Sequence, residues 1–246
     1  MTTYDSAFFE YVNSGAIDSA EQILPLLLYE LEITSVLDVG CGQGAWLSAW
    51  NKFGTKDIKG LDGDYVNRDQ LLISKDSFIP CCLSKEFNLQ RRFDLVQSLE
   101  VGEHLSKESA ALFVGSIVNH GDLILFSAAP KGQGGDEHVN EQDYEYWRCL
   151  FAMHDYVAID YLRPLIINNK RIEPWYRYNL FLYVSAERIE DLPDKIKKFR
   201  MHDREPLRDI SPLLYKIRKK FVCILSVAMM TRLAKIKEFI ITRIRI

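Results

Sequence analysis

The sequence lacks any long uninterrupted run of apolar residues. A helix that spans a membrane needs about 18 or more of them, and the longest candidate, Phe221–Met230, is far shorter. The first residues also lack the basic stretch followed by an apolar stretch that marks a secretory signal. We therefore expect a cytoplasmic protein without a membrane-spanning segment.

The sequence also lacks a cysteine framework, internal repeats and low-complexity tracts. Its cysteines are odd in number and form no Cys-x-x-Cys pair, which favours reduced thiols over disulfides. They stand at positions 41, 81, 82, 149 and 223. With 246 residues, 48% of them apolar, the chain can form one large domain with an appendage.

A strong charge of either sign is absent as well, since the net charge is only −3. This near-neutral balance argues against a nucleic-acid partner. The average nevertheless conceals a division of the chain. Residues 191–246 hold 15 Lys and Arg against 6 Asp and Glu, whereas residues 1–190 hold 16 against 28. The division predicts a domain over residues 1–190 followed by a basic tail over residues 191–246.

The most informative stretch present is Val36–Leu47, VLDVGCGQGAWL. An apolar strand leads into a turn with Gly40, Gly42 and Gly44, and helical periodicity follows the turn. Glycine permits positive φ and lets a ligand lie against the backbone. The N-terminus of the following helix offers unpaired N–H groups. The stretch therefore predicts a cradle for a nucleotide-type cofactor.

Apolar patterning predicts an alternation of strands and helices along the first 190 residues. Strands are expected at 35–39, 58–61, 78–83, 93–99, 122–128, 156–160 and 179–185, and helices at 19–31, 43–53, 66–73, 106–119 and 141–154. Such alternation is typical of an α/β fold with a parallel sheet covered on both faces. The last two strands, joined by a long connection without an obvious helix, suit an antiparallel edge pair.

Two cofactors compete for the glycine turn. A dinucleotide site needs G-x-G-x-x-G or A, and Gly40, Gly42 and Ala45 satisfy that spacing. Three details favour S-adenosylmethionine instead. Asp38 stands at the end of the strand, where a carboxylate would be poorly placed beside a pyrophosphate. It is well placed to meet an α-amino group through the turn. Gly44 adds a further glycine, and the fourth strand ends in an acidic turn, 98–105, that would repel phosphates.

Together with Gly60-Leu61-Asp62 and the segments 93–96 and 98–105, this turn resembles the class I S-adenosylmethionine-dependent methyltransferases. The resemblance covers roughly residues 17–187. It implies a Rossmann-like, mostly parallel sheet of seven strands, the last antiparallel, with helices on both faces. A helical extension would follow at the C-terminus.

The resemblance also implies roles for individual residues around S-adenosylmethionine. Gly40, Gly42 and Gly44 would pass the methionine part, which Asp38 helps to hold. Asp62 would accept both ribose hydroxyls, since a carboxylate can accept two O–H donors. The other implied cofactor contacts are the backbone of Cys82 and Leu83, beside the adenine, and Glu100.

The acceptor is expected at the same rim, because ligands bind beyond the carboxyl ends of strands in open α/β sheets. The glycine-rich loop after the fifth strand carries His138, our first general base, and Asn140; His104 is the second base. Aromatic, arginine and amide side chains at 175–179 suit a sugar ring, and the predicted contacts there are Trp175, Tyr176, Arg177 and Asn179. We predict no metal site, although a cation bridging vicinal sugar hydroxyls is an open alternative.

The combination of His138-Val139-Asn140, Tyr146-Trp147 and the 175–179 cluster resembles methyltransferases that accompany surface-polysaccharide assembly. The resemblance implies an O-methyltransferase for a sugar hydroxyl of a glycan or its precursor. The alternatives are an NAD-dependent oxidoreductase, a non-catalytic scaffold that retains the fold, or another small-molecule hydroxyl as acceptor.

The basic tail shows helical periodicity from Ser211 onward, with Ser211 as N-cap and Pro212 at the first helical position. Apolar residues recur at 214, 217, 221, 225, 229, 233, 236, 240 and 244, among lysines and arginines. Three interpretations remain open. The helix lies on an anionic membrane surface, which would place the protein on its inner face; it binds a partner protein; or it folds back on the acidic domain.

Overall fold

The structure, a computed structural model, describes residues 6–202, 204–224, 229 and 232. The strands are β1 (Ser35–Val39), β2 (Asp57–Asp62), β3 (Phe78–Pro80), β4 (Leu95–Leu99), β5 (Leu123–Ser127), β6 (Tyr156–Ile159) and β7 (Phe181–Ser185). The helices are α1 (Ser6–Leu28), α2 (Ala45–Lys52), α3 (Ala110–Val118), α4 (Tyr144–Ala152), α5 (Leu162–Ile166), α6 (Pro174–Asn179), α7 (Asp194–Lys197) and α8 (Leu213–Val222).

The seven strands form one sheet in the order β3-β2-β1-β4-β5-β7-β6. β1 to β5 pair in parallel, whereas β7 runs antiparallel to both β5 and β6. The predicted α/β sheet with its antiparallel edge pair is therefore confirmed. The strand order reverses between β1 and β4, and the carboxyl ends of strands at such a reversal open a crevice for ligands.

The core consists of one apolar layer on each face of the sheet. Helices α1 and α2 cover one face, where Leu24 and Trp50 are fully buried. Helices α3 and α4 cover the other, with Phe113 and Trp147. β1 is buried along its whole length because its side chains alternate between the two layers, which fits its apolar residues Val36, Leu37 and Val39.

Several predicted helices differ from the structure. Residues 66–73 form only a single turn at Arg68–Gln70, which the Asn67 side chain caps by accepting a hydrogen bond from the Asp69 amide and which ends at Leu71, where the backbone is extended. The predicted helix 106–119 begins at Ala110, and Ser106 instead closes the preceding turn through the Ser109 amide.

The connection between β6 and β7 was expected to lack a helix, and this expectation is wrong. It contains α5 and α6, which are short, and α6 begins at Pro174, a residue whose ring is preorganised for the first helical position. Such short helices span too few turns for their periodicity to stand out in the sequence.

The chain after β7 packs against the sheet rather than extending from it. The Met201 amide donates to the Ala158 carbonyl of β6, and the buried Arg148 of α4 donates to the carbonyls of His202 and Glu205. The boundary between residues 190 and 191 stays a prediction.

The tail helix begins at Leu213 rather than after a Ser211 cap. The Ser211 amide is bound by the Asp209 carboxylate, and Pro212 occupies the N-cap position. Of the predicted helical pattern, residues 225–228, 230, 231 and 233–246 lie outside the described part of the chain. Within the described part, we find no helix with the length and apolarity needed to cross a bilayer.

Candidate active site

The glycine turn after β1 has the geometry that the sequence predicts. Gly40, Gly42 and Gly44 have φ of +87°, +53° and +86°, a region that favours glycine. A Cβ on Gly40 would lie 2.3 Å from Val101, and one on Gly44 would lie 2.9 Å from Ile73. A Cβ on Gly42 would meet no described atom within 4 Å. Gly42 thus leaves the backbone open to a ligand.

Asp62 ends β2 and closes this turn from the side. Its carboxylate accepts hydrogen bonds from the Gly42 amide at 2.7 Å and the Gly63 amide at 2.6 Å. It also accepts one from the Tyr65 hydroxyl at 2.5 Å. The carboxylate therefore already binds a hydroxyl group, and a ribose bound as predicted would compete with Tyr65 for it.

Asp38 lies beneath the turn and is almost completely buried. Burial raises its pKa to about 7, the Gln97 amide opposes this change, and the negative charge of Asp62 adds to it. A carboxylate in such a place gains a great deal from a nearby cation. The predicted contact with an α-amino group fits this environment.

The segment after β3, predicted to border the adenine, continues the edge of the crevice. The Cys81 amide donates to the Asp62 carbonyl at 2.7 Å, so the chain leaves β3 beside the ribose position. Cys82 is exposed and Leu83 is buried in the same apolar layer as Leu61. The role of both in adenine binding stays a prediction.

Glu100 follows β4 across the crevice and adopts the left-handed region, with φ of +57°. Its carboxylate accepts hydrogen bonds from Gln133 at 2.5 Å and Asn179 at 3.3 Å. Asn179 also donates to the Gln133 side chain at 2.8 Å. Burial raises the pKa of Glu100, which these hydrogen bonds oppose. The fold thus joins a residue predicted for the cofactor, Glu100, to one predicted for the acceptor, Asn179.

The loop between β5 and α4 is held by Glu141, a residue that the sequence analysis missed. Its carboxylate accepts from the amides of Gly132 at 2.8 Å and Gly134 at 2.6 Å. It also lies 2.8 Å from Nδ1 of His138. The three-residue spacing between His138 and Glu141 was the signal available in the sequence. Because Nδ1 faces Glu141, Nε2 of His138 is left for other groups.

The two predicted bases lie against each other. The rings of His104 and His138 meet edge to face with centroids 4.8 Å apart. Loss of hydration and the neighbouring His138 lower the pKa of His104 to about 4, so its imidazole is neutral at pH 7. A Cβ on Gly135 would lie 2.2 Å from Nε2 of His138, so only glycine lets the ring occupy this position.

Glu103 is the second residue that the sequence analysis missed. It is fully buried, and both carboxylate oxygens lack a hydrogen-bond partner among the described residues. One ligand atom each from Glu103, His104 and His138 come together, all within 4.8 Å of one another. The prediction that there is no metal site considered only residues adjacent in sequence. This group instead combines Glu103 and His104 with His138, which the fold brings to them. The amide of Asn140, itself buried, donates to the Glu103 carbonyl at 2.9 Å.

The aromatic cluster predicted to bind a sugar forms α6. Tyr176 is buried edge-on against Trp46, with ring centroids 5.1 Å apart, so it belongs to the core. Trp175 and Arg177 are partly exposed, and the Arg177 guanidinium lies 5.2 Å from the ring centre of Tyr178. Their role toward an acceptor stays a prediction.

Comparison with known families identifies the fold and its chemistry. Residues 10–163 match the family model described as a methyltransferase domain. This chain belongs to that methyltransferase family. The prediction of a class I S-adenosylmethionine-dependent methyltransferase, and of that cofactor, is confirmed at the level of the family. The alternative of an NAD-dependent oxidoreductase is accordingly set aside.

Solved structures resemble this methyltransferase in fold at low identity. The sugar N-methyltransferase KedS8 from Streptoalloteichus matches with a TM-score of 0.56 and 14% identity, over 75% of this chain and 96% of that one. Streptomyces venezuelae DesVI matches with 0.53 and 17%, over 72% and 96%. Magnesium protoporphyrin IX methyltransferase from Synechocystis, solved with bound S-adenosylmethionine, matches with 0.51 and 15%, over 75% and 86%. No curated protein matches the methyltransferase at a significant level of sequence similarity.

Proposed function

We propose that the protein transfers a methyl group from S-adenosylmethionine to a hydroxyl of a sugar in a glycan or glycan precursor. The observation that carries this proposal is the His138–Glu141 pair beside the cofactor crevice. A histidine whose Nδ1 is held by a carboxylate keeps its Nε2 oriented for a proton, as in the triads of hydrolytic enzymes.

The cofactor would lie along the rim formed by the ends of β1, β2 and β4. Gly40, Gly42 and Gly44 would border its methionine part, and Asp38 would favour the α-ammonium. Asp62 would hold the ribose, Cys82 and Leu83 would border the adenine, and Glu100 would close the far side. When bound, S-adenosylmethionine supplies a methyl group already activated by a positively charged sulfur.

The protein then has to orient the acceptor and remove its proton. In this proposal the acceptor O–H donates its proton to Nε2 of His138, while His104 narrows the pocket from the other side. The hydroxyl oxygen forms a bond to the methyl carbon as the carbon–sulfur bond breaks, leaving S-adenosylhomocysteine and a methyl ether.

The predicted acceptor contacts differ in how accessible they are. Trp175 and Arg177 are partly exposed and suit a polyhydroxylated ring, whereas Asn140 and Asn179 are buried polar groups deeper in the site. Tyr176, buried against Trp46, would support Trp175 rather than meet the sugar. A small-molecule hydroxyl outside a glycan is the alternative acceptor.

Labelled S-adenosylmethionine and a panel of glycan extracts would test the proposal with the full-length protein. We expect label to enter an acid-stable methyl ether of a sugar. His138→Ala should slow transfer about 100-fold or more while S-adenosylhomocysteine still binds in calorimetry. The matched control is His154→Ala, since His154 is exposed on the far side of α3.

Three results would contradict this proposal in different ways. Full activity of His138→Ala would refute the assigned base. Label found only on amino groups would replace O-methylation by N-methylation. Tight cofactor binding without turnover of any acceptor would favour the scaffold alternative.

We also propose that the basic tail contacts an anionic membrane surface, where a lipid-linked glycan would be presented. Leu214 and Ile224 of the tail are each 81% exposed, and Phe221 is 67% exposed. Lys216 and Lys220 lie among these apolar side chains in sequence. Exposed apolar residues interspersed with basic ones are typical of helices at anionic interfaces.

A further inference from the structure

Glu103, His104 and His138 bring together more potential metal-ligand atoms than a general base requires. These atoms come from two segments, the turn after β4 and the loop before α4, and all lie within 4.8 Å of one another. The two segments are joined directly, because the amides of Val139 and Asn140 both donate to the Glu103 carbonyl at 2.9 Å.

We propose that Glu103, His104 and His138 bind a divalent transition-metal ion that holds the acceptor of methyl transfer. The location of the site stands on the side chains alone. The role assigned to the ion rests on the proposed methyl transfer to a sugar hydroxyl, and it replaces the general base assigned to His138 there with a metal ligand.

The strongest support is the carboxylate of Glu103, which has no side-chain partner among the described residues. It is fully buried, and neither oxygen makes a hydrogen bond of normal geometry there; only the backbone amides of Glu103 and Ala129 lie near enough to favour its charge. A buried carboxylate with so little compensation costs roughly several kcal/mol unless a cation offsets its charge. A cation shared with two imidazoles supplies that compensation.

The charge around the group also favours a cation. Glu100 and Glu141 bring two further carboxylates to this region, and Glu141 lies 2.8 Å from Nδ1 of His138. Two basic residues among the described ones nearby are engaged elsewhere: Arg218 donates to the Gln133 carbonyl, and Lys219 pairs with Asp209. A dication between the histidines would offset this local excess of carboxylates.

The nature of the donors indicates which ions fit. Two imidazole nitrogens and one carboxylate suit zinc, manganese, iron or cobalt, whereas magnesium and calcium prefer oxygen ligands alone. Three protein ligands leave coordination positions open for substrate. An ion that takes five or six ligands then keeps at least two positions for substrate, which match the two neighbouring oxygens of a vicinal diol, so we infer that the acceptor is a sugar with adjacent hydroxyls.

Glu141 and Gly135 position the histidine ligand. Glu141 holds Nδ1 of His138 at 2.8 Å, the arrangement of a carboxylate, a histidine and a metal found in many metal sites. Gly135 leaves room for Nε2, since a Cβ there would lie 2.2 Å from it. Both features direct Nε2 of His138 toward the proposed ion.

The ion would change the route of the proton. Bound to such an ion, the acceptor hydroxyl would be more acidic than a free one, so its proton would pass to solvent, and His138 would act as a ligand in place of the base assigned above. The resulting oxygen forms its bond to the methyl carbon while the carbon–sulfur bond breaks. The products remain the methyl ether and S-adenosylhomocysteine.

Metal binding can be measured without any acceptor. The full-length protein, freed of metal with a chelator and dialysed, would be titrated with manganese chloride by electron paramagnetic resonance and with zinc chloride by calorimetry. We expect one ion per chain. Glu103→Gln, His104→Ala and His138→Ala should each weaken binding at least about tenfold, and Glu141→Gln about 10- to 100-fold.

The matched controls are Glu187→Gln and His154→Ala, both at exposed positions, which should bind the ion like the wild type. Circular dichroism and S-adenosylhomocysteine binding would identify variants that fail to fold. If the ligand variants do not fold, the affinity of Glu141→Gln for the ion, which removes no proposed ligand, tests the site instead. Unchanged affinity in the ligand variants, or no binding below about 1 mM, would overturn the metal site.

Activity measurements separate this inference from the proposed function. Methyl transfer that stops after chelation and resumes with manganese or zinc supports both. Transfer that continues in the chelator, yet is lost in His138→Ala, refutes the metal and retains the base. One bound ion in a protein that methylates no acceptor retains the metal site and refutes the proposed function.

Discussion

At the scale of single residues, Asp62 connects the glycine turn to the end of β2. Its carboxylate accepts the amides of Gly42 and Gly63 together with the Tyr65 hydroxyl. The same side chain therefore shapes the turn and presents an acceptor for hydroxyl groups. One carboxylate can fill both roles, because it has lone pairs for about four donors.

Two glycines of the turn should respond differently to alanine. Gly42→Ala places a methyl group in the open crevice, so we expect S-adenosylhomocysteine affinity to fall about tenfold or more, with a stability loss of about 1–2 kcal/mol from the left-handed backbone. Gly40→Ala adds a clash with Val101 and should cost more in stability. Calorimetric titration and urea unfolding of both variants measure the contrast. Wild-type affinity in Gly42→Ala would show that the ligand lies elsewhere.

Asp38 should make the stability of the free protein depend on pH. Its pKa is about 7 in the fold against 3.8 ordinarily, so the folded state retains a proton that the unfolded state releases. The stabilisation is complete below about pH 4 and is lost as the pH rises to about 7, by roughly 1.4 kcal/mol per unit. Urea unfolding of the wild type and Asp38→Asn from pH 4 to 8 would reveal this difference. Parallel profiles for the two proteins would contradict it.

At the scale of elements, strands were predictable and short helices were not. The bounds of β1 were predicted to the residue, because its apolar residues lead directly into the glycine turn that ends the strand. α5 and α6 were missed, and α3 begins later than expected. α5 and α6 span too few turns for periodicity to reveal them, and Ser106 closes a turn before α3 instead of capping the helix.

α8 provides the prediction that belongs to this scale. Vesicles containing phosphatidylglycerol should sediment the full-length protein, whereas phosphatidylcholine vesicles should not. The double variant Leu214→Glu, Phe221→Glu should lose binding, since it introduces charge on the apolar residues of the tail. Met153→Glu, at a position 73% exposed outside the tail, is the matched control. Equal sedimentation of both variants would favour a partner protein or packing on the domain.

At the scale of the whole molecule, Arg163 connects parts of the chain far apart in sequence. It is 1% exposed, and its Nε and Nη2 donate to the two carboxylate oxygens of Asp160 at 2.8 and 2.6 Å. It also donates to the carbonyls of Tyr178 and Arg208. Its guanidinium also lies 3.8 Å from the ring centre of Phe181. Through this side chain the segment after β7 contributes to the same fold as the sheet.

Arg163→Leu should therefore lower the free energy of unfolding by about 3 kcal/mol, because it leaves Asp160 without its cation and the Arg208 carbonyl without this donor. Arg188→Leu is the matched control, since its pair with Asp191 is largely exposed and such pairs contribute less than about 1 kcal/mol. Urea unfolding of both variants measures the difference. Equal effects would mean that the segment after residue 200 contributes little to stability.

The sequence alone determined the sheet, the glycine turn and the family, because each depends on a local pattern. Gly40, Gly42 and Gly44 need positive φ wherever the chain forms this turn, and no distant contact is required to recognise them. The position of His104 and His138 at the rim of the sheet was also predicted, from their place after parallel strands, and their roles stay predictions.

The surroundings of those two histidines, in contrast, depend on contacts between distant parts of the chain. Glu103 and Glu141 gained their importance when the loop before α4 folded back onto the turn after β4, and Tyr176 proved to be a core residue when α6 packed on Trp46. These outcomes depend on contacts between residues tens of positions apart. Burial and the exclusion of water, which set the properties of such groups, exist only once the chain has closed around them.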